Sequence, residues 1–302
     1  MSIASVPHLL SSELVHHITT TQENLNFETL FGTSKYQSGI DKRVIIASGV
    51  TVGATSTANY ALNIPSGFGG KIILVNEGSI LGAGGAGDTG SGAGDGGNAI
   101  NAGASNIFID NRGTINAGGG GGGRGGTGGQ GSYSYTYSYS CSYTYDCTYL
   151  SICTCPTCCG KPCSNSAPCP GGYINAPNNG CAEGGWRWFC PATCTGTTTC
   201  TATATGYQNG TAGGSGGRGE GYDAGAASGS SGANPINNAG RGGTGGTGGS
   251  YGNSGDTGNI GASGNYTGGS SGIAGGSAGY YIVNNSNVTW IANGTRGGRT
   301  FN

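Results

Sequence analysis

Charged side chains are scarce in this chain of 302 residues, and it contains no long apolar run. Charged residues make up 8% of the sequence and nearly cancel, leaving a formal net charge of −1. A chain without excess charge has no field with which to attract nucleic acid or an anionic membrane surface. Three Arg-Gly-Gly triplets, at Arg124, Arg241 and Arg296, are too few for a Gly/Arg-rich RNA-binding segment. We therefore expect neither a nucleic-acid partner nor insertion into a membrane.

Lysine and arginine are also missing before Lys35, and no apolar stretch of signal-peptide length precedes it. A standard secretory signal needs both features, so we expect synthesis in the cytosol without one. Residues 1–22 instead place Leu10, Leu14 and Ile18 at helical spacing. The sequence therefore predicts a short N-terminal helix that serves as an attachment segment.

Large aliphatic residues are few as well. Leu, Ile, Val and Phe together number 43, about 14% of the chain, whereas glycine alone numbers 69. Such a chain cannot build an ordinary core, but its low net charge is not typical of disorder either. The glycine is therefore expected to lie in ordered structure.

Short β-branched runs in residues 23–81 predict a β-rich base, and one of them recurs. Residues 72–85 and 107–120 match at an offset of 35, sharing Asn-x-Gly before each enters a glycine run. A looser third copy spans 280–294, within a β segment predicted at 281–302. Each copy is expected to form a strand, a tight corner and a second strand.

The glycine runs, in 82–131 and 207–280, have a period of three residues, best seen in GGRGGTGGQG from Gly122 and RGGTGGTGGS from Arg241. Three residues per turn is the repeat of an extended polyproline-II helix, which has no internal hydrogen bonds. Its backbone groups must then be met by neighbouring segments. These regions are predicted to pack as a polyglycine-II-like helical bundle.

Residues 132–206 are different in kind. From Tyr133 to Tyr149 every odd position is Tyr or Cys and every even one is Ser, Thr or Asp, which is the two-residue period of a strand. Cysteines six apart on both sides favour antiparallel pairing, with Cys141 opposite Cys200 and Cys147 opposite Cys194. This predicts a hairpin stem at 132–149 and 193–206 that holds a head at 150–192. Low-complexity filler is the alternative.

All 12 cysteines fall between Cys141 and Cys200. After the two stem disulfides, eight remain in the head as unassigned disulfide pairs, within or between chains: Cys153, Cys155, Cys158, Cys159, Cys163, Cys169, Cys181 and Cys190. A zinc cluster at the first four is the alternative, although the spacing is not that of paired C-x2-C knuckles. No metal is therefore predicted.

Aromatic residues gather in the predicted head, where the candidate receptor-binding residues are Tyr173, Trp186, Arg187, Trp188 and Phe189. Aromatic rings and arginine dominate binding hot spots, and rings also stack on sugars. The same residues would equally form the head's own small core, and the sequence leaves both interpretations open. Catalytic motifs and cofactor motifs are not found, and acidic residues are scattered singly, so the sequence predicts neither an enzyme nor a cofactor.

The segments NLNFETLF (24–31), RVIIASGVTV (43–52) and SAGYYIVNNSNVTWIANG (277–294), with the glycine runs between them, resemble the glycine-rich tips of bacteriophage tail fibre and tail tip proteins. The resemblance covers roughly 24–131 and 207–300, and 132–206 looks like an insertion. It implies a virion protein that binds a host surface protein or glycan and other phage tail proteins through its N-terminal region. Cytosolic synthesis without a signal, followed by oxidation after lysis, fits such a protein.

The sequence as a whole predicts a mainly β protein. Its parts are a β-rich base, a glycine-rich bundle and an inserted hairpin with a disulfide-rich head, assembled as a homotrimer. A decoration or cement protein of the phage particle is the alternative function. An extracellular structural or ice-binding glycine-rich protein fits less well, because the triplets are interrupted and the insertion is large.

Overall fold

The computed structural model describes residues 13–152 and 187–302, with side chains at 13–142 and 197–302. The chain divides into two compact units. The first contains the chain up to Tyr133 and from Tyr207 onwards, and the second is Ser134–Gly206.

Strands supply most of the regular structure, and the protein is mainly β. In chain order they are β1 (Leu14–Ile18), β2 (Gln22–Glu23), β3 (Leu25–Asn26), β4 (Lys42–Ile46), β5 (Thr51–Gly53), β6 (Leu62–Ile64), β7 (Ile72–Asn76), β8 (Ser79–Leu81), β9 (Ile100–Ala102), β10 (Ile107–Asn111), β11 (Thr114–Asn116), β12 (Gly131–Ile152), β13 (Arg187–Gln208), β14 (Tyr280–Val283), β15 (Val288–Ala292), β16 (Thr295–Gly297) and β17 (Arg299–Phe301). Two short helices, α1 (Phe27–Phe31) and α2 (Thr33–Gln37), follow β3, and a 3-10 turn covers Asn285–Asn287.

The first unit contains three parallel sheets of five strands each, ordered β1-β4-β7-β10-β15, β2-β5-β8-β11-β16 and β3-β6-β9-β14-β17. The chain passes through the three sheets in rotation and then returns to the first sheet one turn further along. These turns make a parallel coil, the β-helix architecture, in which each strand pairs with the strands of the turns before and after it.

Columns of aliphatic side chains fill the inside of the coil. The registers stack Val44 on Leu74 and Leu74 on Ile109, and all three are fully buried. Neighbouring strands lie about 4.8 Å apart, so an inward residue of each turn contacts its counterpart in the next. The same stacking joins the buried residues of the other two sheets: Val52, Ile80 and Ile115 in one, and Leu62, Ile100 and Ile282 in the other. Few aliphatic residues suffice because the coil gathers them in one narrow core.

The repeat at an offset of 35 is one turn of this coil. Asn76 pairs with Asn111 in the first sheet, and the Asn76 Nδ2 donates to Asn111 Oδ1 at 2.8 Å. The Asn111 Nδ2 continues the ladder by donating to the Asn293 carbonyl at 2.8 Å. A Cβ at Gly113 would overlap the carbonyl oxygen of Gly78, so the stacked corners require glycine. Each copy forms the predicted strand, corner and strand.

The third copy begins later than the sequence suggested. The structure pairs Val288 with Ile107 and Thr295 with Thr114, so Val288–Ala292 is the strand equivalent to Ile107–Asn111. Tyr280–Val283 belongs to another sheet and pairs with β9. The two Asn-rich stretches of 280–294 resemble each other closely enough to shift the alignment by eight residues.

The helix predicted over 1–22 is wrong where it can be compared. Residues 14–18 form β1, which pairs in parallel with β4 from Leu14↔Lys42 to Ile18↔Ile46. The β-branched residues Val15 and Ile18 favour a strand. The backbone N–H and C=O groups of β1, which an isolated segment would pair within a helix, pair here with those of β4. Residues 1–12 lie outside the described residues.

Glycine-rich segments without helix or strand leave the coil after β8 and after β11 and run back and forth before β9 and β14. They span 82–88, 93–98, 117–130, 209–220, 225–233, 240–249, 253–264 and 268–279. Segment 117–130 lies among the others. Its Gly121, Gly122 and Gly123 amides donate in turn to the carbonyls of Gly94, Gly217 and Asp256, at 2.7–2.9 Å. Three successive residues therefore point to three different neighbours.

The same choice of partner recurs every third residue. Gly125 and Gly128 donate to segment 209–220, as Gly122 does, while Gly126 and Gly129 donate to segment 253–264, as Gly123 does. The segments must approach closely for these bonds, and a Cβ at Gly122 or Gly123 would overlap a neighbouring carbonyl group. The period of three in the sequence is thus the period of the hydrogen-bonded neighbours.

The second unit is a two-stranded ribbon of β12 and β13. Each strand has 22 residues and extends beyond the predicted stem, so residues 150–152 and 187–192, expected in the head, belong to the strands. A paired ladder can continue past the Tyr/Ser alternation because backbone groups, not side chains, form it.

Cys141 and Cys200 form a disulfide with 5.8 Å between their Cα atoms, the pair that the six-residue spacing predicts. At the base of the ribbon the Gln130 Nε2 donates to Asn209 Oδ1 at 3.1 Å. Residue 130 therefore lies near 209, and residue 141 lies near 200. Numbers rise along one strand as they fall along the other, so the strands run antiparallel. The side chains of Cys147 and Cys194 and the head at 153–186 lie outside what the structure describes.

Candidate functional site

Two turns of the first unit lie at the ends of the glycine-rich segments that are remote from the coil. The turn at 234–239 and the turn at 265–267 lie there beside Ser132. The Ser132 amide donates to Asn265 Oδ1 at 2.6 Å, and the Asn238 Nδ2 and Asn265 Nδ2 donate to the Ser132 carbonyl at 3.2 and 3.1 Å. Side-chain amides thus fix both turns to the start of β12.

Asparagine is also suited to the backbone of the first turn. Asn237 and Asn238 have φ angles of 52° and 59°, in the left-handed region. Asparagine tolerates this region better than other residues with a Cβ. The Asn-Asn pair after Pro235 therefore makes the chain reverse between two glycine-rich segments while leaving Ile236 at the surface.

Three large side chains are exposed at this end, and we call Tyr207, Ile236 and Tyr266 the end patch. Ile236 is 65% exposed, Tyr207 53% and Tyr266 57%. The two tyrosine rings lie 4.7 Å apart between centroids with a tilt of 53°. Neither turn contains a charged residue. The patch is an exposed aromatic and aliphatic surface on hydrogen-bonded turns, the composition that binding hot spots use.

Sequence reasoning missed the end patch. Tyr207 lies near the end of β13, whereas Ile236 and Tyr266 interrupt glycine-rich sequence, and each is more than 20 positions from the next, so only the packing of the chain brings them to one end. The signal that could have found them is the break in the glycine triplets, because an aromatic residue where glycine is the rule marks the end of close packing.

The ribbon carries a second aromatic surface. Tyr135, Tyr137 and Tyr139 form what we call the tyrosine row, with 6.1 and 6.0 Å between successive ring centroids. Each residue is 45–46% exposed. They share one face because alternate residues of a strand point the same way.

The candidate receptor-binding residues of the sequence cannot be compared with this geometry. Tyr173 and Trp186 lie outside the described residues, as do the head cysteines except Cys190. Arg187, Trp188, Phe189 and Cys190 belong to β13, but their side chains are not described. Their roles stay predictions.

One buried carboxylate helps to hold the glycine-rich segments together. Asp88 is 1% exposed and ends segment 82–88. Its Oδ1 accepts hydrogen bonds from the amides of Gly90 and Gly92 at 2.7 and 3.0 Å, and its Oδ2 accepts one from the Arg124 amide at 3.4 Å. Burial raises the pKa of Asp88, but these amides and the Arg124 guanidinium together outweigh burial and lower the pKa below its usual value. Asp88 is therefore charged at neutral pH and joins two segments.

The first turn of the coil offers a different surface. Strands β1, β2 and β3 are the terminal strands of their sheets, and in the described part of the chain their outer edges have no strand partner. Val15 on β1 is 46% exposed, and His16 packs edge-on against Phe31 of α1 with centroids 4.8 Å apart. Open parallel edges with exposed apolar residues are suited to pairing with another chain.

A comparison with protein families decides what kind of protein this is. The family model described as phage tail fibre adhesin Gp38 matches residues 13–187, more than half of the chain. The chain belongs to the phage tail fibre adhesin Gp38 family. A Gp38 adhesin is a component of the virion tail that recognises the host cell, and this function agrees with the resemblance found in the sequence.

Among solved structures, this Gp38 adhesin is similar to a chain in the crystal structure of the gp37-gp38 adhesin tip complex of the bacteriophage S16 long tail fiber. The sequences are 18% identical, the match covers 95% of this chain and 82% of the other, and the TM-score is 0.46. No curated protein matches the chain.

The described residues of the Gp38 adhesin contain no group of three or more His, Cys, Asp or Glu side chains that could hold a metal ion. No helix in the same part of the chain is long and apolar enough to cross a membrane, and each of the two α-helices found there has five residues.

Proposed function

We propose that this adhesin binds another tail protein through the first turn of its coil and contacts the host with the end patch and the ribbon unit. The end patch carries this proposal, because it is an exposed aromatic surface held on turns that side-chain amides fix in place. A host surface protein or a host glycan is the partner, and both bind well to exposed tyrosine.

The glycine-rich segments are the support of the end patch, and we propose that they form a polyglycine-II bundle. The three-residue period of hydrogen-bond partners around segment 117–130 supports this assignment. A bundle in which every backbone segment is bonded to several neighbours loses little conformational entropy when it binds. Rigidity thus strengthens binding without additional contact area.

The number of chains in the adhesin is a separate proposal. The homotrimer predicted from the sequence stays a prediction. In the described residues, segment 117–130 finds its hydrogen-bond partners within one chain, which favours one chain per bundle. Attachment to the tail would then use the open strand edges of the first turn, where Val15 is exposed.

Binding without catalysis completes the proposal. The turns at 234–239 and 265–267 contain no Asp or Glu, whereas glycosidases need a pair of carboxylates across a sugar. We propose that the adhesin recognises its host without cleaving the receptor.

The test is a phage in which Ser134–Gly206 is replaced by a two-glycine turn. The contact between Gln130 and Asn209 shows that the ends to be joined are close. We expect particles of normal composition that adsorb to host cells at least about tenfold more slowly, because a main contact surface is lost. A second variant, Tyr207→Ser with Tyr266→Ser, tests the end patch alone. Normal adsorption by both variants would overturn the proposal.

A further inference from the structure

We propose that the tyrosine row of the ribbon is a binding site for an uncharged, linear polysaccharide of the host surface. The inference rests on the proposed role of the ribbon unit in host contact and names the chemistry of its ligand. It depends chiefly on Tyr137 and Tyr139, which are 45% and 46% exposed.

The spacing of the rings is regular. Alternate residues of a strand lie about 6.7 Å apart along its axis, and the measured centroid distances of 6.1 and 6.0 Å follow that repeat. Successive ring planes are tilted by 43° and 42°, so each ring has nearly the same orientation relative to the one before it. The row is thus a periodic surface made of one chemical group.

The opposite strand carries small side chains beside these rings. In the register set by the Cys141–Cys200 disulfide, Tyr139 lies opposite Ala202 and Tyr137 opposite Ala204. Ala202 and Ala204 are half-buried, whereas Thr201, Thr203 and Thr205 between and beyond them are exposed. This alternation places the alanines on the tyrosine face, where their small side chains leave the rings accessible.

The charge of the ribbon determines which ligands fit. The charged residues of the two strands are Asp146 on β12 and Arg187 on β13, and residues 131–145 and 188–208, which include the tyrosine row, contain no Asp, Glu, Lys or Arg. A ligand with phosphate or carboxylate groups along its length would find no cation at the tyrosine row to compensate the loss of its hydration. A neutral ligand that presents C–H faces to the rings and hydroxyl groups to water needs no cation for favourable binding.

Periodicity distinguishes a polysaccharide from a protein. A linear glycan repeats along its length and can make the same ring contact at successive tyrosines, so weak contacts add through effective concentration. The surface of a folded protein does not repeat and gains nothing from a row of equal groups. The regular, uncharged row therefore favours a glycan over a receptor protein or a second copy of the ribbon.

The experiment measures adsorption of phage to its host cells before and after mild periodate treatment, which cleaves the vicinal diols of sugars, and separately after protease treatment. We compare the wild type with Tyr137→Ser plus Tyr139→Ser. The wild type should adsorb about tenfold more slowly to periodate-treated cells, and the variant should be slower by a similar factor on untreated cells. Periodate should not slow the variant further.

Two further variants separate stacking from folding. Tyr137→Phe plus Tyr139→Phe keeps the rings and should retain most of the adsorption rate. Ser138→Ala plus Ser140→Ala alters the reverse face of the same strand and should adsorb like the wild type. Peptide mapping of the Cys141–Cys200 disulfide in each variant verifies that the ribbon has formed.

Other outcomes overturn the inference in distinguishable ways. Adsorption sensitive to protease but not to periodate identifies a receptor protein. If the serine variant changes the mass of the assembled adhesin in the particle but adsorbs like the wild type, the tyrosine row binds a second copy of the ribbon. If the serine variant adsorbs normally while the deletion of Ser134–Gly206 does not, the proposed function stands and the glycan site fails.

Discussion

The glycine-rich segments can pack only because their glycines have no Cβ atom. At Gly123 a Cβ would overlap the carbonyl group of Ile273, which belongs to a neighbouring segment and cannot turn away as a side chain would. The glycine content of this chain is therefore a steric requirement of close backbone approach rather than a source of flexibility.

Gly123→Ala should destabilise the protein by about 3 kcal/mol, because overpacking must separate two hydrogen-bonded segments. The matched control is Gly225→Ala, since a Cβ there meets nothing within 4 Å and its φ is not left-handed. The control should be neutral or more stable by about 0.4–1 kcal/mol. Thermal unfolding of the purified proteins measures the difference, and equal melting temperatures would contradict the packing described for segment 117–130.

Asp88→Asn should cost about 1–3 kcal/mol at pH 7, because a charged acceptor of three backbone amides becomes a neutral one. Asp95→Asn is the control, since Asp95 is exposed and its carboxylate accepts one backbone hydrogen bond in the described part of the chain, from the Ser277 amide at 2.7 Å. The smaller loss expected for Asp95→Asn separates burial from the loss of a carboxylate as such.

The pKa of Asp88 also predicts how stability depends on pH. The folded-state pKa lies below the unfolded value of about 3.9, so the stabilisation by Asp88 is complete above that value. It is lost as the pH falls through the folded-state pKa. The wild type should therefore lose more stability than Asp88→Asn when unfolding is measured at pH 3 instead of pH 7. Parallel losses in the two proteins would show that Asp88 does not titrate as described.

At the scale of elements, the sequence predicted the position and pairing of some strands but not of others. The Asn-x-Gly repeat at an offset of 35 predicted two strand-corner-strand copies, and these are consecutive turns of the coil. The spacing of the cysteines predicted the pairing of Cys141 with Cys200, because the period of a strand is short and strict. Both predictions used patterns that repeat within one element or its direct neighbour.

Other elements depended on partners far away in the sequence. Leu14–Ile18 reads as an apolar stripe of a helix, yet it is a strand because β4 lies beside it. The end patch could not be predicted, since Tyr207 and Tyr266 are 59 positions apart and meet only through the packing of glycine-rich segments. A pattern inside a segment does not reveal which segment will be its neighbour.

The disulfide of the ribbon gives an element-scale prediction. Replacing Cys141 and Cys200 by serine removes a link between residues 59 positions apart, worth up to about 4 kcal/mol by chain entropy. Amide hydrogen exchange should accelerate across the described strands of Ser134–Gly206. The first unit serves as the internal control, because its core does not include the disulfide. Unchanged exchange in the ribbon would mean that other links already hold it.

At the scale of the whole molecule, the open end of the coil predicts how the adhesin is attached. Val15→Asp places a charge at the exposed edge of β1 and should prevent incorporation into the tail, whereas the purified chain should remain folded. Tyr266→Asp changes the end patch, which is proposed to contact the host and not the tail, and should leave incorporation intact. Quantifying the adhesin in purified particles tests both, and normal incorporation of Val15→Asp would place the attachment elsewhere.

The number of chains in the adhesin can be measured on the purified protein. One chain per bundle predicts the mass of a single 29.5 kDa chain for the purified adhesin in solution. A mass three times larger would support the homotrimer that the sequence predicts. The hydrogen bonds around segment 117–130 would then recur in three separate bundles.

The position of segment 117–130 among its neighbours also has a consequence for biosynthesis. Its hydrogen-bond partners extend to segment 268–279, so a ribosome has made more than 130 further residues before the last of them exists. Folding rates fall as contacts become more distant in sequence, and exposed unpaired backbone promotes aggregation in the meantime. We therefore expect the nascent adhesin to be prone to aggregation until translation has reached the final glycine-rich segment.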